Sequence, residues 1–186
     1  MPMSFWRPEF EAALAKMAEV SSAMDAQGLN PPILVGGAAV ELYTLGAVNT
    51  GDFDVVTAKQ DAFEAELQRH GFVRPRGANL SLRGWIHPDL NFGFEVVGSR
   101  LLDGLAAVDL VRVIEVDGHG SVAAISIEDL IADRMGQYAS GAADEMLGQA
   151  KALFTLSQDL DMQYMERRIR EETAQQYGIQ DLQDEA

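Results

Sequence analysis

The stretch from residue 33 to residue 56 constrains the fold of this chain more than any other. A short apolar run, Ile33-Leu34-Val35, leads into Gly36-Gly37, and a segment of helical composition follows the two glycines. Asp52 and Asp54 then stand two positions apart in a second apolar run. Because alternate side chains of a strand point to opposite faces, both carboxylates should project from the same face. The stretch predicts a strand, a tight turn into a helix, and a second strand that carries two acids.

Both the acid pair and the glycine pair have two interpretations at this point. An Asp-x-Asp pair is typical of a solvated strand edge, but adjacent carboxylates also repel each other unless a cation lies between them. Oxygen ligands of this kind suit Mg²⁺ better than zinc. Gly36-Gly37 forms either a simple tight turn or a place where phosphate approaches backbone amides at a helix N-terminus. The sequence contains no Gly-x-Gly-x-x-Gly and no Gly-Lys-Ser/Thr motif.

Glu95 is a third acid that stands out in the chain. It lies between two apolar residues in a strand predicted over residues 91–97. An acid in an apolar strand is costly to bury unless it is paired or metal-bound. Three carboxylates from two neighbouring strands could hold two divalent ions roughly 3.5–4 Å apart. If Glu95 is not the third acid, Asp89 and Asp109 are the next candidates.

Composition narrows the class of protein. Hydrophobic residues make up 47% of the 186 residues, which is enough for a folded core. The formal net charge of −15 argues against an extended nucleic-acid-binding surface and suits a basic protein partner. The chain has no cysteine, and no apolar run approaches the roughly 20 residues of a membrane span. We therefore expect a cytoplasmic protein without disulfides, thiolate metal sites or membrane segments.

The order of elements predicts an α+β fold in two parts, followed by a tail. Residues 1–125 are predicted to form a mixed α/β domain whose first helix opens near Pro8. Residues 126–176 should form a helical segment packed on that domain, because apolar residues recur there at helical spacing. Residues 177–186 form an acidic tail, and we expect residues 180–186 of it to be frayed.

Two further parts of the chain are predicted to contribute to the sheet, one from a clear hairpin pattern and one from a weaker pattern. Residues 117–120, Asp-Gly-His-Gly, indicate a hairpin turn between strands over residues 108–116 and 121–125. Between residues 74 and 87 the pattern is weaker, and it suggests only short sheet segments at Leu80, Leu82 and Trp85-Ile86.

Gly36-Gly37 followed by Asp52-x-Asp54 and a later strand acid resembles the nucleotidyltransferase superfamily, which has the polymerase-β-like fold. The fuller strings, Val35-Gly-Gly-Ala-Ala-Val and Thr50-Gly-Asp-Phe-Asp, are similar to small bacterial nucleotidyltransferase-like proteins, including those of toxin–antitoxin and abortive-infection systems. The resemblance covers about residues 30–100. It implies a nucleotidyltransferase-like mixed sheet flanked by helices. It also implies transfer of a nucleoside monophosphate from a triphosphate such as ATP to a hydroxyl of a protein, a small molecule or RNA.

The same resemblance implies a role for each matching residue. Gly36 and Gly37 would hold the triphosphate, and Asp52 and Asp54 would bind Mg²⁺, with two ions in an active site. Glu95 would complete the metal site or help to deprotonate the acceptor hydroxyl. Two positions depart from the pattern, because many members have Gly-Ser in place of the double glycine and aspartate in place of Glu95. The alternative is therefore a catalytically degenerate member that binds a protein partner, such as a toxin or antitoxin, or acts as a regulatory subunit.

Five other residues are candidates for the same site. Arg134 falls on the apolar stripe of a predicted helix, so it forms either an ion pair with an acid at the edge of the core or a bidentate contact with the triphosphate. Lys151 flanks the apolar face of the next helix and is a candidate of the same kind. Thr50 either contacts the nucleotide or orders the turn before the strand. Lys59 and Arg76 are predicted to be loop charges, and either could lie over the pocket.

Overall fold

A mixed β-sheet forms the centre of the molecule in a computed structural model that describes residues 5–75, 84–90, 92–141 and 143–183. In these ranges the sheet has six strands in the order β3-β4-β2-β1-β6-β5. The strands are β1 (Ile33–Val35), β2 (Asp52–Val56), β3 (Trp85–Ile86), β4 (Gly93–Gly98), β5 (Arg112–Val116) and β6 (Gly120–Ala124). The predictions for Arg76, Leu80 and Leu82 fall outside the described residues.

The helices lie around this sheet and after it. The described residues form α1 (Pro8–Asp25), α2 (Gly36–Tyr43), α3 (Gln60–Arg69), α4 (Ile127–Ala139), α5 (Glu145–Leu156) and α6 (Met162–Glu172). Short 3₁₀ turns occur at Leu101–Gly104, Val108–Leu110 and Ile179–Leu182. The predicted α+β fold, a mixed sheet flanked by helices and followed by a helical segment, is confirmed.

Strand pairing aligns the acids predicted for the site. β2 runs antiparallel to β1, with Val35 opposite Asp54, and parallel to β4, with Asp54 opposite Glu95. β1 also pairs in parallel with β6. The predicted hairpin is confirmed as the antiparallel pair β5 and β6. Its first strand begins only at Arg112, because residues 108–110 close a 3₁₀ turn.

One face of the sheet packs against α1 through a cluster of aromatic rings. Phe53 of β2 and Phe94 of β4 stack with their centroids 4.8 Å apart, and Phe10 of α1 lies 5.3 Å from Phe53. All three side chains are completely buried. Because side chains alternate along a strand, Asp52, Asp54 and Glu95 must project from the opposite face.

A buried ionic cluster joins α6 to α4. Arg168 is fully buried and donates to Asp129 Oδ1 at 2.8 Å, and the Tyr164 hydroxyl donates to Asp129 Oδ2 at 2.8 Å. Ser126 caps α4 by accepting a hydrogen bond from the Asp129 N–H at 3.1 Å, as its sequence spacing suggests. These contacts fix the position of α4, which contributes residues to the site described below.

The tail is more ordered than we expected. Ile179–Leu182 forms a 3₁₀ turn, Leu182 is buried, and the Ile179 N–H donates to Glu166 Oε2 at 2.7 Å. The prediction of fraying is wrong for this part because an apolar residue in the acidic segment packs on the helices; residues 184–186 lie outside the described ranges.

Within the described residues, no helix combines the length and the apolar character that crossing a membrane requires.

Candidate active site

Asp52, Asp54 and Glu95 share one face of the sheet, as the sequence predicts. Asp52 and Asp54 alternate with the buried Phe53, and Glu95 stands directly opposite Asp54 in the parallel register of β2 and β4. Burial raises the pKa of the Asp54 carboxyl, and the negative charges of Asp52 and Glu95 raise it further, to about 6. The ionised form of Asp54 is therefore unfavourable in this arrangement.

Gly36 permits Asp54 to lie against the start of α2. Its φ is +62°, and a Cβ placed on it would stand 2.5 Å from Asp54 Oδ2. An alanine there would be strained by its backbone angle and would collide with the carboxylate. Gly37 has a different neighbour, because a Cβ at that position would meet Thr50 Cγ2 at 3.0 Å. The double glycine thus allows α2 to pack closely against both Asp54 and the loop before β2.

Thr50 belongs to a hydrogen-bond network beneath the site. Its hydroxyl and its N–H donate to Glu41 Oε2 at 3.0 Å and 2.6 Å. Glu41 is fully buried in α2 and is paired with Arg7, whose Nε lies 2.8 Å from Glu41 Oε1. Arg7 also donates to the Thr50 carbonyl. This network orders the loop that leads into β2. An acid inside the apolar start of α2 is the sequence signal that indicates Glu41.

A cavity of about 340 Å³ opens between the acid-bearing face of the sheet and α4. Gly36 and Asp54 line it from the sheet side, and Arg134 lines it from α4. The predicted ion pair of Arg134 is confirmed: its Nε and Nη2 lie 3.1 Å and 2.5 Å from Asp133 Oδ2. The positive charge of Arg134 acts on Asp54 in the opposite direction to the acids and lowers its pKa.

Asp133 is a member of the site that the sequence interpretation missed. It lines the cavity with Leu130 and Gln137, and its charge contributes to the raised pKa of Asp54. The Gln137 amide donates to Asp133 Oδ2 at 3.0 Å. Residues 130, 133 and 137 recur at spacings of three and four, so helical periodicity could have placed Asp133 on the same side of α4 as Leu130.

The remaining candidates lie elsewhere. Lys151 is half-buried on α5 and is not among the described residues that line the cavity. Asp89 and Asp109, the alternatives to Glu95, are exposed residues in a turn after β3 and in the 3₁₀ turn before β5. Glu95 is therefore the only one of these three acids that faces Asp54 across a pair of strands.

Comparisons with known proteins agree with this geometry at the level of the fold. No protein-family model matches the chain, and no curated protein matches its sequence. The structure is similar to that of an antigenic nucleotidyltransferase-like protein from Paracoccidioides brasiliensis, with a TM-score of 0.58 and 15% identity. That match covers 90% of this chain and 88% of the other. The chain has a nucleotidyltransferase-like fold.

A second solved structure supports the same conclusion. The antibiotic-resistance factor ANT(2'')-Ia matches with a TM-score of 0.53 and 16% identity, over 86% of this chain and 90% of the other. At this level of identity the likeness establishes the nucleotidyltransferase-like fold alone.

The acids of this nucleotidyltransferase-like fold provide the donor chemistry for a hard divalent cation. All three offer carboxylate oxygens, which Mg²⁺ prefers. The pKa of Asp54 is raised first by burial and then by the charges of Asp52 and Glu95, and a cation would relieve the repulsion from those charges. Among the described residues, however, no group of three His, Cys, Asp or Glu side chains is arranged so that it could hold a metal ion. The oxygen donors suit Mg²⁺, but as these described side chains lie they do not form a metal site.

Proposed function

We propose that this protein is a Mg²⁺-dependent nucleotidyltransferase that transfers a nucleoside monophosphate from a nucleoside triphosphate to an acceptor hydroxyl. The observation that carries the proposal is the partly buried Asp54 carboxylate, which lines a cavity together with Arg134 and on which the charges of Asp52 and Glu95 act. Asp52 and Glu95 do not line that cavity among the described residues, and Glu95 lines a neighbouring one. Ionised acids held this close to one another and partly buried are costly for folding. Such a cost is typical of sites where a ligand or cation relieves it.

Each residue has a proposed role that follows from its position. Asp52 and Asp54 would hold Mg²⁺ together with Glu95. When bound, Mg²⁺ would neutralise charge on the triphosphate and on the leaving pyrophosphate. Gly36 and Gly37 would hold the triphosphate through their backbone amides at the start of α2. Arg134 would donate to a phosphate oxygen.

The proposed transfer forms one bond and breaks one. The acceptor oxygen attacks the α-phosphorus, the bond from the α-phosphorus to the bridging oxygen breaks, and pyrophosphate leaves with that oxygen. Glu95 would take the proton from the acceptor hydroxyl, because a carboxylate opposite Asp54 can lie within hydrogen-bond reach of a hydroxyl bound there.

A second candidate function is that of a nucleotidyltransferase-fold protein that binds a partner without turnover. The observation in its favour is that Arg134 is already held by Asp133, while the acids in the described residues are not arranged as a metal site. The formal net charge of −15 would then favour a basic protein partner, such as a toxin or antitoxin.

Calorimetric titration with ATP, GTP, CTP and UTP separates the two candidates. We expect at least one nucleotide to bind in the presence of Mg²⁺, to bind at least tenfold more weakly in EDTA, and to be lost in Asp52→Ala. Asp109→Ala, which removes an exposed acid outside the cavity, should bind as the wild type does. Absence of Mg²⁺-dependent binding of all four nucleotides would contradict the enzyme and favour the partner-binding protein.

A further inference from the structure

Lys59 and Arg100 differ from the other basic residues of this acidic chain. The chain has 14 Lys and Arg against 29 Asp and Glu, so acids are plentiful as partners. Across the part of the chain that the structure describes, every other Lys and Arg side chain forms an ion pair or another contact. Lys59 and Arg100 are both exposed, and within that same part neither side chain is held by an acid. Their positive charges are open to a ligand.

Both of these side chains line a single cavity. It has a volume of about 330 Å³ and lies between the start of α3 and the segment over residues 99–108. Ile33 of β1 and Val56 of β2 line it from the sheet, so much of its wall is apolar. Thr57 and other polar residues complete the lining. The cavity therefore combines a hydrophobic surface with two cationic groups, which suits a ligand that has both an apolar part and an anionic part.

This cavity adjoins the candidate active site. Val56 and Arg100 line both cavities. Asp54 and Val56 lie on the same face of β2, two residues apart, which is about 7 Å along a strand. A small molecule held by Lys59 and Arg100 could thus extend along the sheet as far as the Asp54 carboxylate.

Local conformation is unfavourable for stability at Lys59 and at the border between the two cavities. Lys59 occupies the N-cap of α3, where Ser, Thr, Asp and Asn are preferred and where the helix dipole disfavours a cation. Leu102 and Asp103 have φ values of 42° and 55° and lie where this cavity borders the first one, because they line the first cavity while Leu101 and Gly104 line this one. Non-glycine residues in this region are strained and cluster at functional sites. An unfavourable N-cap residue in this cavity and strained residues at its border with the first cavity are local departures of the kind that functional sites carry.

We infer that this cavity binds a phosphate monoester on the acceptor substrate. Two cations match the two negative charges of a phosphate monoester better than the single charge of a carboxylate, and the arginine fork matches phosphate oxygens in geometry. The apolar body of the acceptor would lie against Ile33 and Val56, and its hydroxyl would point toward Asp54. The inference rests on the proposed function, because it names the class of acceptor for that reaction.

Phenyl phosphate is a suitable probe because it combines an aromatic body with a phosphate monoester. We expect it to bind in an NMR chemical-shift titration at neutral pH, more tightly than benzoate and much more tightly than phenol. Lys59→Gln should weaken phenyl phosphate binding about tenfold, since one charge-assisted hydrogen bond is lost. The affinity for Mg²⁺-ATP should be unchanged, because Lys59 does not line the first cavity. Lys16→Gln, which removes a lysine paired with Glu19, is the matched control and should bind both ligands normally.

Three results would overturn the inference. These are equal binding of phenyl phosphate by the wild type and Lys59→Gln, equal binding of benzoate and phenyl phosphate, and competitive displacement of phenyl phosphate by saturating Mg²⁺-ATP. The last result would assign the cavity to the phosphates of the nucleotide. If phenyl phosphate binding depends on Lys59 but no nucleotide binds at all, the phosphate site is supported and the proposed function fails.

Discussion

Replacing Asp54 with asparagine should make the folded protein more stable at neutral pH. Burial, together with the charges of Asp52 and Glu95, raises the pKa of Asp54 from 3.8 to about 6. Each pKa unit corresponds to about 1.4 kcal/mol, so ionised Asp54 lowers the free energy of unfolding by at most about 3 kcal/mol. Asparagine keeps the shape of the side chain and removes the charge. The gain in the variant should therefore approach this value.

The size of the gain depends on pH in a defined direction. Below about pH 4 Asp54 is protonated in the folded and the unfolded chain, so its charge has no effect on stability. Between about pH 4 and pH 6 the unfolded chain loses the proton first, and the stability of the wild type falls as the pH rises. Above about pH 6, ionised Asp54 lowers the stability of the wild type by its full amount. The advantage of Asp54→Asn should thus grow across it and remain constant beyond it.

Urea denaturation in EDTA, followed by circular dichroism, measures this advantage. Free energies of unfolding at about pH 4.5 and pH 7.5 should be compared for the wild type and Asp54→Asn by linear extrapolation. Asp89→Asn is the control because Asp89 is an exposed acid in a turn. The reasoning is refuted if Asp54→Asn is no more stable than the wild type at pH 7.5, or if its advantage is the same at both pH values.

Other substitutions test other parts of the structure, each by urea denaturation. Gly36→Ala should lower the free energy of unfolding by about 1–2 kcal/mol, because Gly36 has a φ of +62°. Gly148→Ala should raise it by about 0.5–1 kcal/mol, because a Cβ at that helical position would meet nothing within 4 Å. Similar changes in both variants would contradict the role of Gly36. Arg168→Met leaves the buried Asp129 without its ion-pair partner and should lower the free energy of unfolding by about 3–5 kcal/mol. A loss below about 1 kcal/mol would show that the cluster is dispensable. Glu41→Gln should lower the free energy of unfolding by about 1.5–3 kcal/mol and speed hydrogen exchange at the Thr50 amide, whose N–H donates to Glu41. Unchanged exchange at that amide would contradict the proposed role of the Glu41 network.

Local patterns in the sequence predict those parts of the site that depend on one element. The shared face of Asp52 and Asp54 follows from the two-residue period of a strand, and it is observed. The Ser126 cap likewise follows from spacing within a single turn. The position of Glu95 is different, because its alignment with Asp54 depends on how two strands pair across about 40 residues of chain. An acid between two apolar residues of a predicted strand indicates Glu95 as the third acid, but that pattern does not give its register with Asp54.

The features that the sequence interpretation missed depend on tertiary contacts. Arg7 and Glu41 meet although 34 residues separate them. Asp133 reaches the site only because α4 packs over the open face of the sheet. Leu182 is buried in a segment whose composition is otherwise acidic, so composition alone predicted a frayed tail there. Contacts of this kind are determined by the packing of whole elements, which periodicity within each element does not reveal.

The most direct test of the proposed active site is to locate the cation itself. Crystals grown with Mn²⁺ and a non-hydrolysable nucleoside triphosphate would show the metal by anomalous scattering. We expect a metal peak bound by Asp52 and Asp54 beside Gly36, with the triphosphate in the cavity that Arg134 lines. A nucleotide and metal bound away from these two carboxylates, or no metal peak at saturating Mn²⁺, would contradict the account.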